Sequence, residues 1–195
     1  GHVKSSPPVA APPERKIMPD NDAIQNLLNR CAIDLRQRAE RDELRPAFAR
    51  TAEINAAFQM LASPEHLHPL ILGKPRSGKT ALIHELVRRI VTKDAPEGLH
   101  NIAIYEVSPA SLLSGLQFGE GWRANISTLF NGLAETGPTL VFIRDLHAAV
   151  GAGVRRGDDD DDDLAAALES SLRDGRVKII AEARPDRWQS IAADR

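Results

Sequence analysis

The chain has 195 residues and a formal net charge of −2, with 42% hydrophobic residues but only 4% aromatic ones. That length supports one globular domain whose core must be aliphatic, and the near-neutral charge excludes the basic surface that general nucleic-acid binding requires. No apolar run approaches the ~20 residues that cross a bilayer, and the single cysteine, Cys31, excludes an internal disulfide and suits a reducing, cytoplasmic compartment.

Residues 1–20 carry Ser5-Ser6-Pro7-Pro8 and Pro12-Pro13 and few large apolar groups, so they read as a flexible Pro-rich linker, with Gly1-His2 as a tag scar. A Pro-rich, polar start is no secretory signal. Asp20-Asn21-Asp22 then offer N-cap oxygens to a helix that spaces Ile24, Leu27, Leu28, Cys31, Ile33 and Leu35 and runs to near Arg45-Pro46. On that stretch Cys31 reads as a buried structural thiol. Thr51 caps a second helix that buries Ile54, Phe58 and Leu61 and stops at Ser63-Pro64.

From here short apolar runs alternate with amphipathic helices. A strand over 70–72 leads to a helix from 79 to about 91, with Leu82, Leu86 and Ile90 on one face. A strand over 102–107 precedes a helix over 122–135, a strand over 140–143, a helix over 164–172 and a strand over 177–181. The run Leu140-Val141-Phe142-Ile143 is apolar on both faces, as a central parallel strand requires. Alternating strands and helices predict a parallel sheet covered on both sides, a three-layer α/β/α sandwich preceded by a short helical segment.

Between the strand at 70–72 and the following helix lies Gly73-Lys74-Pro75-Arg76-Ser77-Gly78-Lys79-Thr80, the spacing of a phosphate-binding loop in its proper strand-to-helix setting. The backbone N–H groups from Gly73 to Ala81, at the helix N-terminus, face the β- and γ-phosphates of ATP or ADP. Lys79 supplies a point charge, and the Thr80 hydroxyl a ligand for Mg²⁺. Such a site also needs a carboxylate at the end of a neighbouring strand, and the strand at 140–143 runs into Arg144-Asp145-Leu146-His147.

Several stretches together resemble the first ATPase domain of the Clp/Hsp100 group of AAA+ proteins, which includes ClpB disaggregases and the ClpV motors of type VI secretion. Cys31 to Ala39 (CAIDLRQRA) resembles the family's DLTERA lead-in, and Pro46 to Ile54 (PAFARTAEI) its PVIGRDEEI. Arg88 to Leu99 (RRIVTKDAPEGL) is similar to QRIVNGDVPEGL, and Phe142 to Gly153 (FIRDLHAAVGAG) to FIDELHTIVGAG. The resemblance implies a nucleotide-binding domain over 21–195 that ends before the family's arginine fingers, fifth strand and helical lid. It implies adenine contacts from the backbone at Phe48 and Ala49, and a homo-hexameric ring that pulls extended polypeptide through its pore. Gln117, Phe118 and Gly119 stand where the family's pore loop grips substrate; Phe118 keeps the central aromatic, or is a packed loop residue.

Three departures bear on catalysis. Arg144-Asp145 replaces the family's Asp-Glu pair, so a guanidinium stands for the metal-organising carboxylate and Asp145, one methylene short, for the residue that polarises water. Ala181-Glu182-Ala183-Arg184 replaces GATT and lacks the hydroxyl at position 183, and Arg76 takes the place of a loop glycine. Nucleotide binding with weakened hydrolysis follows, and Mg²⁺ binding is in question. Two readings stand beside it: a working ATPase in which Asp145 coordinates Mg²⁺, and a non-hydrolysing scaffold or assembly domain. The acidic run Asp158 to Asp163 reads as a solvated insertion or as a selector for basic substrate. His66, His68 and His147 read as structural, and Trp122 and Trp188 as packing at helix starts.

Overall fold

The computed structural model of the protein describes residues 21–116, 121–154, 163–173 and 175–193. The linker 1–20, the candidate pore-loop residues Gln117, Phe118 and Gly119, and the acidic run up to residue 162 lie outside them.

In chain order the elements are α1 (Asn21–Cys31), β1 (Ile33–Asp34), α2 (Leu35–Glu40), α3 (Thr51–Ala62), β2 (Leu70–Leu72), α4 (Lys79–Val91), β3 (Ala103–Val107), α5 (Pro109–Gly115), α6 (Trp122–Thr136), β4 (Thr139–Ile143), α7 (Leu164–Leu172), β5 (Lys178–Ala183) and α8 (Pro185–Ala193). The strands form one sheet in the order β1-β3-β4-β5-β2. β3, β4, β5 and β2 run parallel, with Phe142 opposite Glu106 on one side and Ile180 on the other, and Leu72 opposite Ala183.

Every residue of β4 is buried, and its side chains alternate between two separate cores. Leu140 and Phe142 join Ile54, Phe58, Leu61, Leu86 and Ile90 from α3 and α4. Val141 and Ile143 join Leu28, Leu112, Ile126, Phe130 and Leu168 from α1, α5, α6 and α7. Two cores on opposite faces are the three-layer sandwich that the apolar run 140–143 predicts. Each large aliphatic side chain so buried contributes about 1.5–3 kcal/mol.

The N-terminal segment differs from the expected single helix to Arg45. Ile33 falls off the apolar stripe of α1, is exposed, and pairs antiparallel with Glu106, while Asp34 pairs with Tyr105. Asp34 then restarts the helix: its Oδ1 accepts a hydrogen bond from Gln37 N at 2.8 Å. A competent N-cap in mid-pattern breaks a helix that apolar spacing alone would extend. The sheet is therefore parallel except for this two-residue edge. Thr51 is not a cap but the first helical residue, and Arg50 precedes it without a side-chain cap bond. A helix unforeseen from periodicity, α5, is set by Pro109 at its first position and by reciprocal Ser108–Ser111 bonds of 2.9 and 3.1 Å.

Helices α1 and α5 meet at Gly115, where a Cβ would stand 2.5 Å from the Arg30 carbonyl oxygen and 2.6 Å from the Cys31 Cβ. Gly115→Ala is expected to lower the unfolding free energy by about 1–3 kcal/mol in a urea titration; an unchanged midpoint would show that α1 yields freely. Burial pushes the Cys31 thiol up to about 11, and its Sγ donates to Leu27 O at 3.1 Å. The native protein is therefore expected to resist thiol alkylation at pH 8 and to react fully only once unfolded.

Candidate functional site

The site forms at the carboxyl edge of the parallel strands. β2 ends at Leu72, and Gly73 N donates to Ala183 O at 3.2 Å, so the loop starts tied to the end of β5. The chain then turns through Arg76 at φ 64° and Gly78 at φ 88°. Gly78 in this left-handed region is the N-cap of α4 and has no Cβ to strain. Arg76 occupies the same region without that freedom, which costs of order 1 kcal/mol; the family-type glycine missing at this position is missing where the backbone asks for it.

Lys79 folds back over its own loop, its Nζ donating to Gly73 O at 2.8 Å and Lys74 O at 3.1 Å. Arg50 holds the other flank: Nη2 donates to Ser77 O at 3.0 Å while Nη1 pairs with Glu53 at 2.9 Å. Thr80 and Ala81 begin α4 and are half-buried, so the open N–H groups and positive dipole end of a 13-residue helix face the loop. Beside them a cavity of about 470 Å³ is lined by Arg50, Ala57, Met60, Leu70, Gly73 and Lys79 among others. The expected Phe48 and Ala49 do not line it; Phe48 is 84% exposed, and their neighbours Arg50 and Glu53 take that place.

Beyond β4, Arg144 and Asp145 sit where the sequence puts them, at the strand's carboxyl end, with Arg144 N donating to Val107 O at 2.8 Å. Asp145 is exposed at φ 50°, a left-handed geometry that Asp tolerates. The Arg144 guanidinium lies between two glutamates from the adjacent strands. Its Nη1 donates to Glu106 Oε1 at 3.2 Å, and its Nε stands 3.8 Å from Glu182 Oε1. Glu106 and Glu182 are only 6% and 3% exposed. Burial pushes the Glu182 carboxyl above its usual range, Lys79 and Arg144 pull it back, and Asp145 and Glu106 add to the rise. Two buried atoms here, Arg144 Nε and Glu182 Oε2, lack a hydrogen-bond partner. Such groups cost about 1–3 kcal/mol each when left unmade.

The Mg²⁺ that the resemblance implies needs hard oxygen ligands. At the end of β4 the structure offers a guanidinium with its two carboxylates already committed to it, and no cluster of three potential metal ligands occurs among the described residues. Glu106, Arg144 and Glu182 do not fit that metal; the groups that would hold it are the Thr80 hydroxyl and the exposed Asp145 carboxylate, together with the nucleotide's own phosphates. Arg50, Glu106 and Glu182 are the site residues that the motifs miss. The signal for the two glutamates is a charge set inside an otherwise apolar strand, which demands a buried partner. His147 and His68 play structural parts, their Nδ1 atoms accepting from Arg184 N at 3.4 Å and Ile179 N at 3.3 Å.

Residues 69–191 match the family model of the ATPase family associated with various cellular activities (AAA). The chain belongs to the AAA family. Its relatives are of the Clp/Hsp100 group: it is 33% identical over 140 residues to the chaperone protein ClpB of Vibrio cholerae, and 30% identical over 162 residues to that of Aquifex aeolicus. These matches cover 71% and 83% of the chain but 16% of each relative, so the chain spans about a sixth of their length. A cryo-EM structure of Hsp104 with ATPγS and casein superimposes with a TM-score of 0.72 at 26% identity, over 86% of this chain and 28% of that one. The Saccharomyces cerevisiae Hsp104–ADP complex gives 0.71 at 27%, over 85% and 23%. The fold of this AAA domain is thus the one expected, and no helix among the described residues is long and apolar enough to cross a membrane.

Because burial raises the Glu182 carboxyl, the folded domain holds its proton more tightly than the unfolded chain does. The resulting stability is complete below the unfolded value near 4.5 and is lost as pH rises through the folded one. Glu182→Gln removes that loss. Its Tm relative to the unsubstituted protein is expected to rise from pH 5 to pH 8, read by thermal denaturation; parallel curves would mean that Arg144 fully neutralises the buried carboxylate.

Proposed function

We propose that this chain is the ATP- or ADP-binding module of a Clp/Hsp100-type protein-remodelling machine, and that it holds nucleotide while hydrolysing it weakly. One observation carries the reading. At the end of β4, where the family's motif has a metal-organising carboxylate, stands Arg144, fixed by its ion pair to Glu106. The loop from Gly73 to Ala81 keeps what phosphate binding requires: a left-handed glycine at the helix start, the N-terminus of α4 and the Lys79 ammonium. The cavity between α3, β2 and α4 is of a size to admit a purine base, with Met60 and Ala57 as apolar walls.

Catalysis asks for more than binding. A water must be held within a fraction of an ångström of its line of attack, and Asp145, exposed and one methylene short of the family's glutamate, is poorly placed to hold it. Ala183 brings no hydroxyl to the end of β5. The likeness to ClpB and to casein-bound Hsp104 supports extended polypeptide as the substrate of the whole machine, and a homo-hexameric ring as its assembly. Within the same group, a ClpV-like secretion motor is the alternative setting.

Lys79→Ala is expected to weaken ADP binding by about tenfold or more in calorimetric titration, since it removes the charge that meets the phosphates. ATP turnover is expected to remain at background and to be insensitive to Asp145→Asn. Turnover matching active family members and abolished by Asp145→Asn would instead establish a working ATPase, and failure to bind ADP or ATP at all would leave a scaffold domain.

A further inference from the structure

The side chains that bond the carbonyls of the phosphate loop are of two kinds. Lys79 Nζ, on Gly73 O and Lys74 O, is the group that meets the phosphates. Arg50 Nη2, on Ser77 O at 3.0 Å, reaches the loop from outside, 27 residues earlier in the chain. Arg50 stands at the start of α3, where its own carbonyl accepts from Ile54 N at 3.1 Å. Ile54 is fully buried in the core that α3 shares with α4. The guanidinium is a fork with both prongs in use: Nη1 pairs with Glu53 Oε1 at 2.9 Å while Nη2 takes the loop carbonyl. The loop thus has a second tie to the frame of the domain, besides the bond from Gly73 N to Ala183 O.

A trans peptide points its carbonyl and its N–H in opposite directions. With Ser77 O turned toward Arg50, the Gly78 N–H of the same peptide is turned away from it. Gly78 is left-handed, at φ 88° and ψ 14°, and Lys79 after it is helical. Such an alternation of hand turns successive N–H groups into one concavity that suits an anion. Nothing in residue 78 itself keeps the peptide this way round. Glycine takes φ of either sign at no steric cost, and beyond its chain neighbours only Arg50 Nη2, at 3.9 Å, lies within 4 Å of where a Cβ would stand. Turning the 77–78 peptide over would bring the Ser77 carbonyl, a partial negative charge, into the concavity and take the Gly78 N–H out of it. The bond from Arg50 opposes that turn.

We propose that Arg50 is a positioning residue for phosphate binding: it holds the Ser77 carbonyl toward α3 and so keeps the Gly78 N–H in the anion-binding concavity, without itself being a ligand of the phosphates. The inference rests on the nucleotide-binding reading above and deepens it. An incoming phosphate displaces the two Lys79 bonds, whereas the Arg50 bond stays in place in the occupied loop. Glu53 fixes the direction of the fork and offsets its charge. What Arg50 supplies is therefore the orientation of one peptide, and a concavity set before the ligand arrives.

The test is calorimetric titration of ADP and of inorganic pyrophosphate into the unsubstituted protein and into Arg50→Ala, both shown to be folded by circular dichroism. The substitution is expected to weaken both ligands alike, by about tenfold, since the concavity serves phosphate in each. Unchanged ADP affinity would overturn the proposal, and so would a loss confined to ADP, which would make Arg50 a contact of the nucleoside. If the unsubstituted protein binds neither ligand, the nucleotide reading falls too; if it binds ADP but not pyrophosphate, the preset concavity alone is refuted. Glu53→Ala separates positioning from charge. With one prong of its fork released, Arg50 is expected to hold the peptide less well and pyrophosphate to bind about threefold more weakly. Tighter or unchanged binding would instead mark the guanidinium as a phosphate ligand freed from its counter-ion, or as no determinant at all. Heteronuclear NMR reads the peptide itself: the Gly78 amide signal is expected to move on saturation with ADP, and to move less than half as far in Arg50→Ala. An equal displacement in both proteins would count against Arg50 as the residue that sets this N–H.

Discussion

The parallel pairing of β5 between β4 and β2 is the constraint on which the site depends. β2 has three residues, and its ladder to β5 is the one neighbour it has among the described residues. Through that ladder the loop is registered against the rest of the sheet, and the bond from Gly73 N to Ala183 O carries the register one step further. Pull β5 out of line and the phosphate loop loses its position relative to Arg144, although both would keep their local shape. β5 is held in turn by its burial, with Ile180 in one core and Ile179 and Ala181 in the other. The aliphatic core thus sets the geometry of the polar site, and reaches it directly through Ala57 and Leu82.

Electrostatics within that frame are arranged around absent carboxylate chemistry. A buried ion pair is weak evidence of stability, since desolvation offsets most of its Coulombic gain. The Glu106–Arg144–Glu182 cluster is therefore poorly explained as reinforcement. Its physical sense is compensation: a guanidinium at the end of β4 lies between two buried carboxylates on the neighbouring strands. Arg144 is thus held from both adjacent strands, by Glu106 on one side and Glu182 on the other.

Much of the fold was legible because its signals are local and periodic. The apolar run 140–143 announced a central strand, and the spacing from Gly73 to Thr80 placed a turn between strand and helix. The break after Cys31 was not legible, because Asp34 acts as a cap only in the context of β1 pairing with β3, a contact distant in sequence. The substitution at 144 could be seen, but its partners could not: Glu106 and Glu182 lie 38 residues either side of Arg144, and only the strand order brings them together. A motif shows which residue stands at a position; only the non-local pairing shows what that residue touches.

The Lys79 ammonium, bound to two carbonyls of its own loop, carries a consequence for rates. With nothing bound, the lysine serves as ligand to its own backbone, and an incoming phosphate must exchange those two bonds for its own. The net gain of each lysine–phosphate contact is therefore what remains after those two bonds are given up. Departure is assisted, since the same two bonds re-form as the phosphate leaves.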